Sequence, residues 1–82
     1  MTKDEKEALI INFGKVVRDL RKARGLTGRQ LAERCKINDS NITKIEKGKR
    51  ESTLTTMAAL ARGLEVSLPE IFSRLEELPD KP

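Results

Sequence analysis

The sequence predicts an all-α domain built from five helices. Apolar residues recur at helical spacing in five segments, capping residues precede each segment, and only two of the 82 residues are aromatic. A core so poor in rings must be built from aliphatic side chains, which suits packed helices better than a β-sandwich. This length supplies one modest core, so we expect a single domain over residues 1–79 and a disordered tail over residues 80–82.

The first helix begins after Thr2, which has capping-box spacing to Glu5, and runs to about Ala23. Gly25 is a natural C-terminal stop. Residues at i, i+3, i+7 and i+10 form its apolar face, which consists of Ile10, Phe13, Val17 and Leu20.

The second and third helices are short and are joined by a tight turn. Thr27 and Gln30 form a second capping box, and either Asn38 or Asp39 caps the third helix, at about residues 39–47. The inward side of the second helix consists of Leu31, Ala32 and Cys35. The apolar members of the third helix are Ile42 and Ile45, and Gly48 ends it.

Two further helices complete the chain. Thr53 caps the fourth, and Ser67 with Glu70 begins the fifth, where Pro69 fits the first turn. One stripe of the fourth helix consists of Leu54, Met57, Leu60, Ala61 and Leu64. Gly63 lies inside this helix, and we attribute it to close packing. The fifth helix carries an apolar face up to Pro79 that consists of Leu68, Ile71, Phe72, Leu75 and Leu78.

The net charge of +4 is unevenly distributed. Twelve Lys and Arg residues but only four Asp and Glu lie between Lys15 and Arg50, whereas acidic residues outnumber basic ones elsewhere. A basic middle segment favours a polyanionic partner such as nucleic acid. A solvated, lysine-rich surface would have the same composition, so charge alone leaves both interpretations open.

The residue types that catalysis usually needs are scarce. The chain has no His, and its one Cys, Cys35, is expected to be a small buried hydrophobe. No glycine belongs to a GxGxxG or GxxxxGK[ST] phosphate loop. Carboxylates such as Glu76 and Glu77 fit a solvated helix surface better than an acid/base pair. We therefore expect no enzyme activity, no metal and no cofactor.

Nothing in the sequence indicates export or membrane insertion. No apolar run approaches the roughly 20 residues that cross a bilayer, and Met1 to Lys6 is too polar to open a secretion signal. A single Cys cannot form an internal disulfide. We expect a cytoplasmic protein without a membrane partner.

The segment from Gly25 to Arg50 has the layout of a helix-turn-helix, with a basic loop after its second helix. Over about residues 10–75 the sequence resembles the Cro/phage-repressor (XRE-type) family, and restriction–modification controller proteins and short phage or plasmid repressors are similar in size. The matching positions are Leu26-Thr27, Leu31-Ala32, Ile37, Ile42, Ile45-Glu46, Gly48, Lys49-Arg50, Thr53-Leu54, Leu60-Ala61, Leu64, Val66-Ser67 and Ile71-Phe72. The resemblance implies a lambda-repressor-like domain, with the motif at about residues 27–47, that regulates transcription as a repressor or as an activator.

The resemblance also assigns the residues that contact double-stranded DNA. Bases in the major groove would be read by Asn38, Asp39, Ser40, Thr43 and Lys44, which helical geometry turns away from the two isoleucines. Lys44 could donate to guanine, Asn38 could pair with adenine, and Thr43 could meet a thymine methyl. Asp39 either accepts from cytosine N4 or only caps the helix. Phosphates would be bound by Thr27, Arg29, Lys47, Lys49, Arg50 and the helix start at Ser52 and Thr53.

Four further positions carry expectations that come from the family. The positions of Arg21 and Glu46 form a buried ion pair in similar phage repressors, and we favour such a pair over two separate exposed charges. Lys36 stands where Gly is usual and where φ is positive. Gly28 replaces a Gln that usually contacts phosphate, and Gln30 lies on a different side of the helix.

The fifth helix has more apolar surface than so small a core can bury. We expect a homodimer in which some of its residues pair across a two-fold axis, so that two recognition helices lie about 34 Å apart on an inverted-repeat operator. The interface residues are drawn from Leu68, Ile71, Phe72, Leu75 and Leu78. The alternative is that all five belong to the monomer core.

A protein-interaction module is the second hypothesis, in which the same fold binds a protein partner, as an antitoxin binds a toxin. Such a module has no need for Lys44, Lys49 and Arg50 on one side, so the basic face favours DNA. If the regulator activates transcription, it needs a surface for RNA polymerase, and acidic residues such as Glu33 are candidates.

Overall fold

The computed structural model describes residues 1–79 and contains five α-helices joined by short turns. They are α1 (Lys3–Ala23), α2 (Gly28–Cys35), α3 (Asp39–Glu46), α4 (Leu54–Leu64) and α5 (Leu68–Glu76). No strand occurs in this part of the chain, which confirms the predicted fold class. The expected tail at residues 80–82 lies outside the described residues.

Each helix begins with a side chain that satisfies a backbone N–H group of its first turn. Thr2 and Thr27 do this in complete capping boxes, in which Glu5 and Gln30 accept a return bond at 2.8 and 2.9 Å. The hydroxyls of Thr53 and Ser67 start α4 and α5 in the same way, without a return bond. The predicted starts are therefore confirmed.

Four helices end at a residue in the left-handed conformation. Two of these residues are glycines, Gly25 and Gly48, but the other two are Lys36 (φ 57°) and Glu65 (φ 58°). The N–H group that follows each of them bonds to a carbonyl five residues earlier, as Ile37 does to Ala32 at 3.0 Å. The predicted conformation of Lys36 is confirmed, whereas that of Glu65 was not predicted.

All five helices contribute to one hydrophobic core. Seven large aliphatic side chains are fully buried in it: Val17, Leu31, Ile42, Ile45, Leu60, Leu64 and Ile71. Half-buried side chains pack around them: Leu26, Ile37, Met57, Val66, Leu68, Phe72, Leu75 and Leu78. Leucine and isoleucine thus fill the space that rings would fill elsewhere.

Two expectations about apolar residues are wrong. Ile71 has no exposed surface, so it belongs to the protomer core and not to a dimer interface. Leu54 does not join the inner stripe of α4, because 68% of its surface is exposed. As the first residue of α4, it lies beyond the elements that cover the later turns of that helix.

Helix α4 packs closely against α2 at Gly63. A Cβ atom at this position would overlap the sulfur of Cys35, which confirms that close packing explains the glycine. Cys35 is buried, and this burial raises the pKa of its thiol. No helix within residues 1–79 is both long and apolar enough to cross a bilayer.

We predict that Lys36→Gly stabilises the protein, because glycine adopts a positive φ without steric cost. The expected gain is about 1 kcal/mol, or a rise of about 4–8 °C in Tm, measured by thermal unfolding. Glu33→Gly is the control, since Glu33 is exposed but lies inside α2, and it should cost about 1 kcal/mol. An unchanged or lower Tm for Lys36→Gly would show that the left-handed residue is not strained.

Candidate nucleic-acid interface

Helix α3 presents an apolar side to the core and a polar side to solvent. Ile42 and Ile45 are each only 1% exposed and pack into the core. The outward side carries four exposed polar residues with the helix cap beside them: Asp39, Ser40, Thr43, Lys44 and Asn38. The structure therefore brings all five predicted base-reading residues together on one exposed surface.

Local hydrogen bonds distinguish the roles of these side chains. Asn38 is the helix cap, because its Oδ1 accepts from the N–H group of Ser40 at 2.8 Å. The Thr43 hydroxyl donates to the Asp39 carbonyl at 3.2 Å, which leaves the Thr43 methyl group for contacts outside the protein. Lys44 makes no salt bridge within residues 1–79.

The orientation of α3 depends on its contact with α1. A Cβ atom at Gly14 would collide with the backbone carbonyl oxygens of Ile45 and Glu46, so the two helix backbones approach each other very closely. This contact lies in the last turn of α3. The position of the outward surface is thus determined by the packing of the opposite side.

An ion pair joins the same two helices, as predicted. Arg21 Nε donates to Glu46 Oε2 at 2.7 Å, and Arg21 Nη2 donates to Glu46 Oε1 at 2.9 Å. Both side chains are largely buried, with 15% and 10% of their surface exposed. The hydrogen bonds to Glu46 raise the pKa of Arg21 against the opposing effect of burial. Arg21 Nη1 also donates to the Leu26 carbonyl at 2.8 Å, which ties in the turn before α2.

The loop after α3 carries three of the residues that were predicted to bind phosphate. Lys47, Lys49 and Arg50 are exposed, and Arg50 Nη1 donates to Asn41 Oδ1 at 2.9 Å. Asn41 was not among the predicted site residues. Nothing in the sequence pattern distinguished it from the other polar residues of α3.

The polar side chains at the start of α4 offer few groups that could bind an anion. The Ser52 hydroxyl oxygen is buried and makes no hydrogen bond to any residue between 1 and 79, so it offers no donor at the surface. The Thr53 hydroxyl caps α4 by accepting from the N–H group of Thr56 at 3.2 Å. Any contact with an anion at this helix start would therefore rely on backbone N–H groups, as predicted.

A polar groove separates the start of α2 from the outward side of α3. Its wall includes the carboxylate of Asp39, the paired side chains of Arg21 and Glu46, and three further basic side chains: Arg18, Arg29 and Lys47. Arg18 was not predicted, although it is an exposed basic residue one turn before Arg21. The Gln30 side chain is held in its capping box, so it does not replace the glutamine that is absent at Gly28. The basic groups in this groove and in the following loop make this side of the protein attractive to an anion.

Comparison with known proteins identifies the family. A family model described as helix-turn-helix matches residues 17–71. The chain belongs to the helix-turn-helix family. The match includes α2, α3 and the loop that carries the basic residues, and it confirms the resemblance seen in the sequence.

Relatives of this helix-turn-helix protein include bacterial regulators. The control protein C.SmaI of Serratia marcescens is 35% identical over 71 residues, which cover 87% of this chain and 80% of that protein. The competence pilus inhibition repressor of Acinetobacter baylyi is 31% identical over 71 residues, and the chain spans 64% of its length. The crystal structure of the restriction-modification controller protein C.AhdI from Aeromonas hydrophila superposes with a TM-score of 0.75 at 32% identity, covering 77% of this chain and 96% of that one.

We predict that Arg21 and Glu46 stabilise the fold as a pair. Arg21→Met or Glu46→Met alone should each cost about 3 kcal/mol, because the remaining charge is left largely buried without a partner. The double variant should lose less than the sum, as measured by urea unfolding of all four proteins. The exposed Glu70–Arg74 pair is the matched control, and its cycle should show a coupling below about 0.5 kcal/mol. Additive losses at Arg21 and Glu46 would contradict the pairing.

Proposed function

We propose that this protein is a homodimeric transcription regulator that binds an inverted-repeat operator in double-stranded DNA and acts in the bacterial cytoplasm. The observation that carries the proposal is the polar outer surface of α3, which is flanked by basic side chains on both sides. The flanking residues are Arg18, Arg29, Lys47, Lys49 and Arg50. The names of the relatives, a repressor and controller proteins, support regulation.

The proposed mechanism uses two groups of residues, which are the flanking basic side chains and the polar side chains on the outer surface of α3. Basic side chains and the free N–H groups at the start of α2 bind DNA phosphates and place α3 in the major groove. The side chains on the outer surface of α3 then meet the edges of the bases. Activation, as opposed to repression, would further require a contact with RNA polymerase, and the exposed Glu33 is available for it.

The dimer interface that we propose differs from the one expected from the sequence. Leu54 and Leu9, which are 68% and 42% exposed, adjoin one apolar groove whose wall includes Phe72 and Leu75 of α5. In a two-fold interface each patch faces its own copy, so a patch needs to be self-complementary. An apolar patch meets this condition.

Selection from a random pool tests the proposed function. Purified protein is incubated with random duplex DNA, and bound DNA is recovered and sequenced at two salt concentrations. We predict enrichment of an inverted repeat with half-site centres about one helical turn apart, and recovery that falls steeply as salt rises. Bound DNA without a common sequence would contradict specific recognition. No bound DNA at low salt would contradict the proposal and favour a protein-interaction module.

We predict that the protein sediments as a dimer at micromolar concentration and that Leu54→Lys converts it to a monomer. A charged side chain at the centre of the apolar patch would be buried without a partner, whereas exposed Leu54 is not needed for the fold. Ala23→Lys is the control, because Ala23 is an exposed residue at the far end of α1 from Leu9. A monomeric wild type, or a dimeric Leu54→Lys variant, would contradict the proposed interface.

A further inference from the structure

The carboxylate of Asp39 takes no part in the side-chain hydrogen bonds and ion pairs of the described residues, 1–79. Asn38 provides the cap of α3, so the capping role that Asp39 might have filled is already occupied. No hydrogen bond or salt bridge from another side chain reaches the Asp39 carboxylate within residues 1–79. Gly28 of α2 lies beside it and has no side chain, and a Cβ atom added there would lie 3.7 Å from Asp39 Oδ1. The carboxylate therefore remains free at the start of the exposed surface.

A free carboxylate at this position is costly for a protein that binds DNA. Phosphates repel it, and this repulsion weakens binding to every sequence. The side chains that share its groove, Arg18, Arg29 and Lys47, reduce the repulsion because they hold positive charge beside it. The basic neighbours of Asp39 thus make its negative charge tolerable on this surface. An ionised carboxylate can only accept hydrogen bonds.

Only one base suits a group that accepts hydrogen bonds and donates none. In the major groove, guanine presents N7 and O6 and thymine presents O4, and all three atoms repel a carboxylate. Adenine presents its N6 donor next to the N7 acceptor. Cytosine presents the N4 donor without an acceptor beside it on the same base, so a carboxylate bonds to it without opposing repulsion.

We propose that Asp39 determines sequence specificity by selecting cytosine at one position of each operator half-site, through a hydrogen bond from cytosine N4. This assignment rests on the proposed function, since it requires α3 to lie in the major groove. It makes Asp39 a residue that lowers affinity for DNA in general and raises discrimination among sequences.

The test compares wild type with Asp39→Asn in the same random-pool selection, followed by titration of each protein with the enriched duplex and with an unrelated duplex. Asparagine has nearly the same shape, but its amide can donate to adenine N7 while accepting from N6. We expect one half-site position to change from cytosine to adenine, with about tenfold lower preference for cytosine there and with all other positions unchanged. Binding to the unrelated duplex should tighten, because a repelled charge has been removed.

Glu33→Gln is the control for charge, since Glu33 is exposed on α2 and its loss changes the net charge by the same amount. This variant should keep the wild-type sequence motif. An unchanged motif for Asp39→Asn, with only a lower Tm, would overturn the proposal and leave Asp39 as a residue that stabilises the helix dipole. A wild-type pool without any motif would instead contradict the proposed function itself, so the two failures are distinguishable.

Discussion

An isolated helix of eight residues is not stable in water, so the conformation of α3 depends on the elements that surround it. Helix α1 contributes most of this support. Its backbone touches the last turn of α3 at Gly14, and Arg21 holds the carboxylate of Glu46 with two hydrogen bonds. The Asn38 side chain closes the other end of the helix. Because both ends are held, the packing determines the direction in which the outward side of α3 faces.

The same arrangement separates two kinds of surface. The basic residues and the outward side of α3 lie around the start of α2 and the loop that follows α3. The exposed apolar residues Leu9 and Leu54 lie on α1 and at the start of α4, next to α5. A dimer formed through the apolar patch would therefore leave Arg18, Arg29, Lys47 and the outward side of α3 free for DNA, whereas Arg50 lies at the edge of the patch. This separation is the structural basis of the function that we propose.

Much of the fold could be predicted from the sequence because its determinants are local. Capping residues such as Thr27 mark helix starts, and the spacing of Ile42 and Ile45 indicates the buried side of α3. The pair of Arg21 and Glu46 could be predicted only from the family resemblance, since the two residues are 25 positions apart. The outward residues at α3 and its cap were assigned from the family resemblance, and helical geometry independently turned them away from the two isoleucines.

Features that depend on tertiary contacts could not be predicted in this way. Periodicity shows which side of a helix is apolar but not how far its neighbours extend. Ile71 was therefore included among the candidate interface residues although it is fully buried, and Leu54 was placed on the apolar stripe of α4 although it is exposed. The buried Asn12 side chain donates to the Pro79 carbonyl, 67 residues away, at 2.7 Å. Glu65 adopts its left-handed conformation while its carboxylate lies 3.1 Å from Arg34, a contact with no local signal.

Backbone amide chemical shifts test most directly whether α3 contacts DNA. They are recorded on ¹⁵N-labelled protein as enriched duplex DNA is added. We expect the largest changes at Gly28 and Arg29, along the outward side of α3, and at residues 47–53. The first two turns of α1 should change little. Large changes confined to the surface around Leu9 and Leu54, with α3 unaffected, would contradict the central claim that α3 is the element that meets DNA.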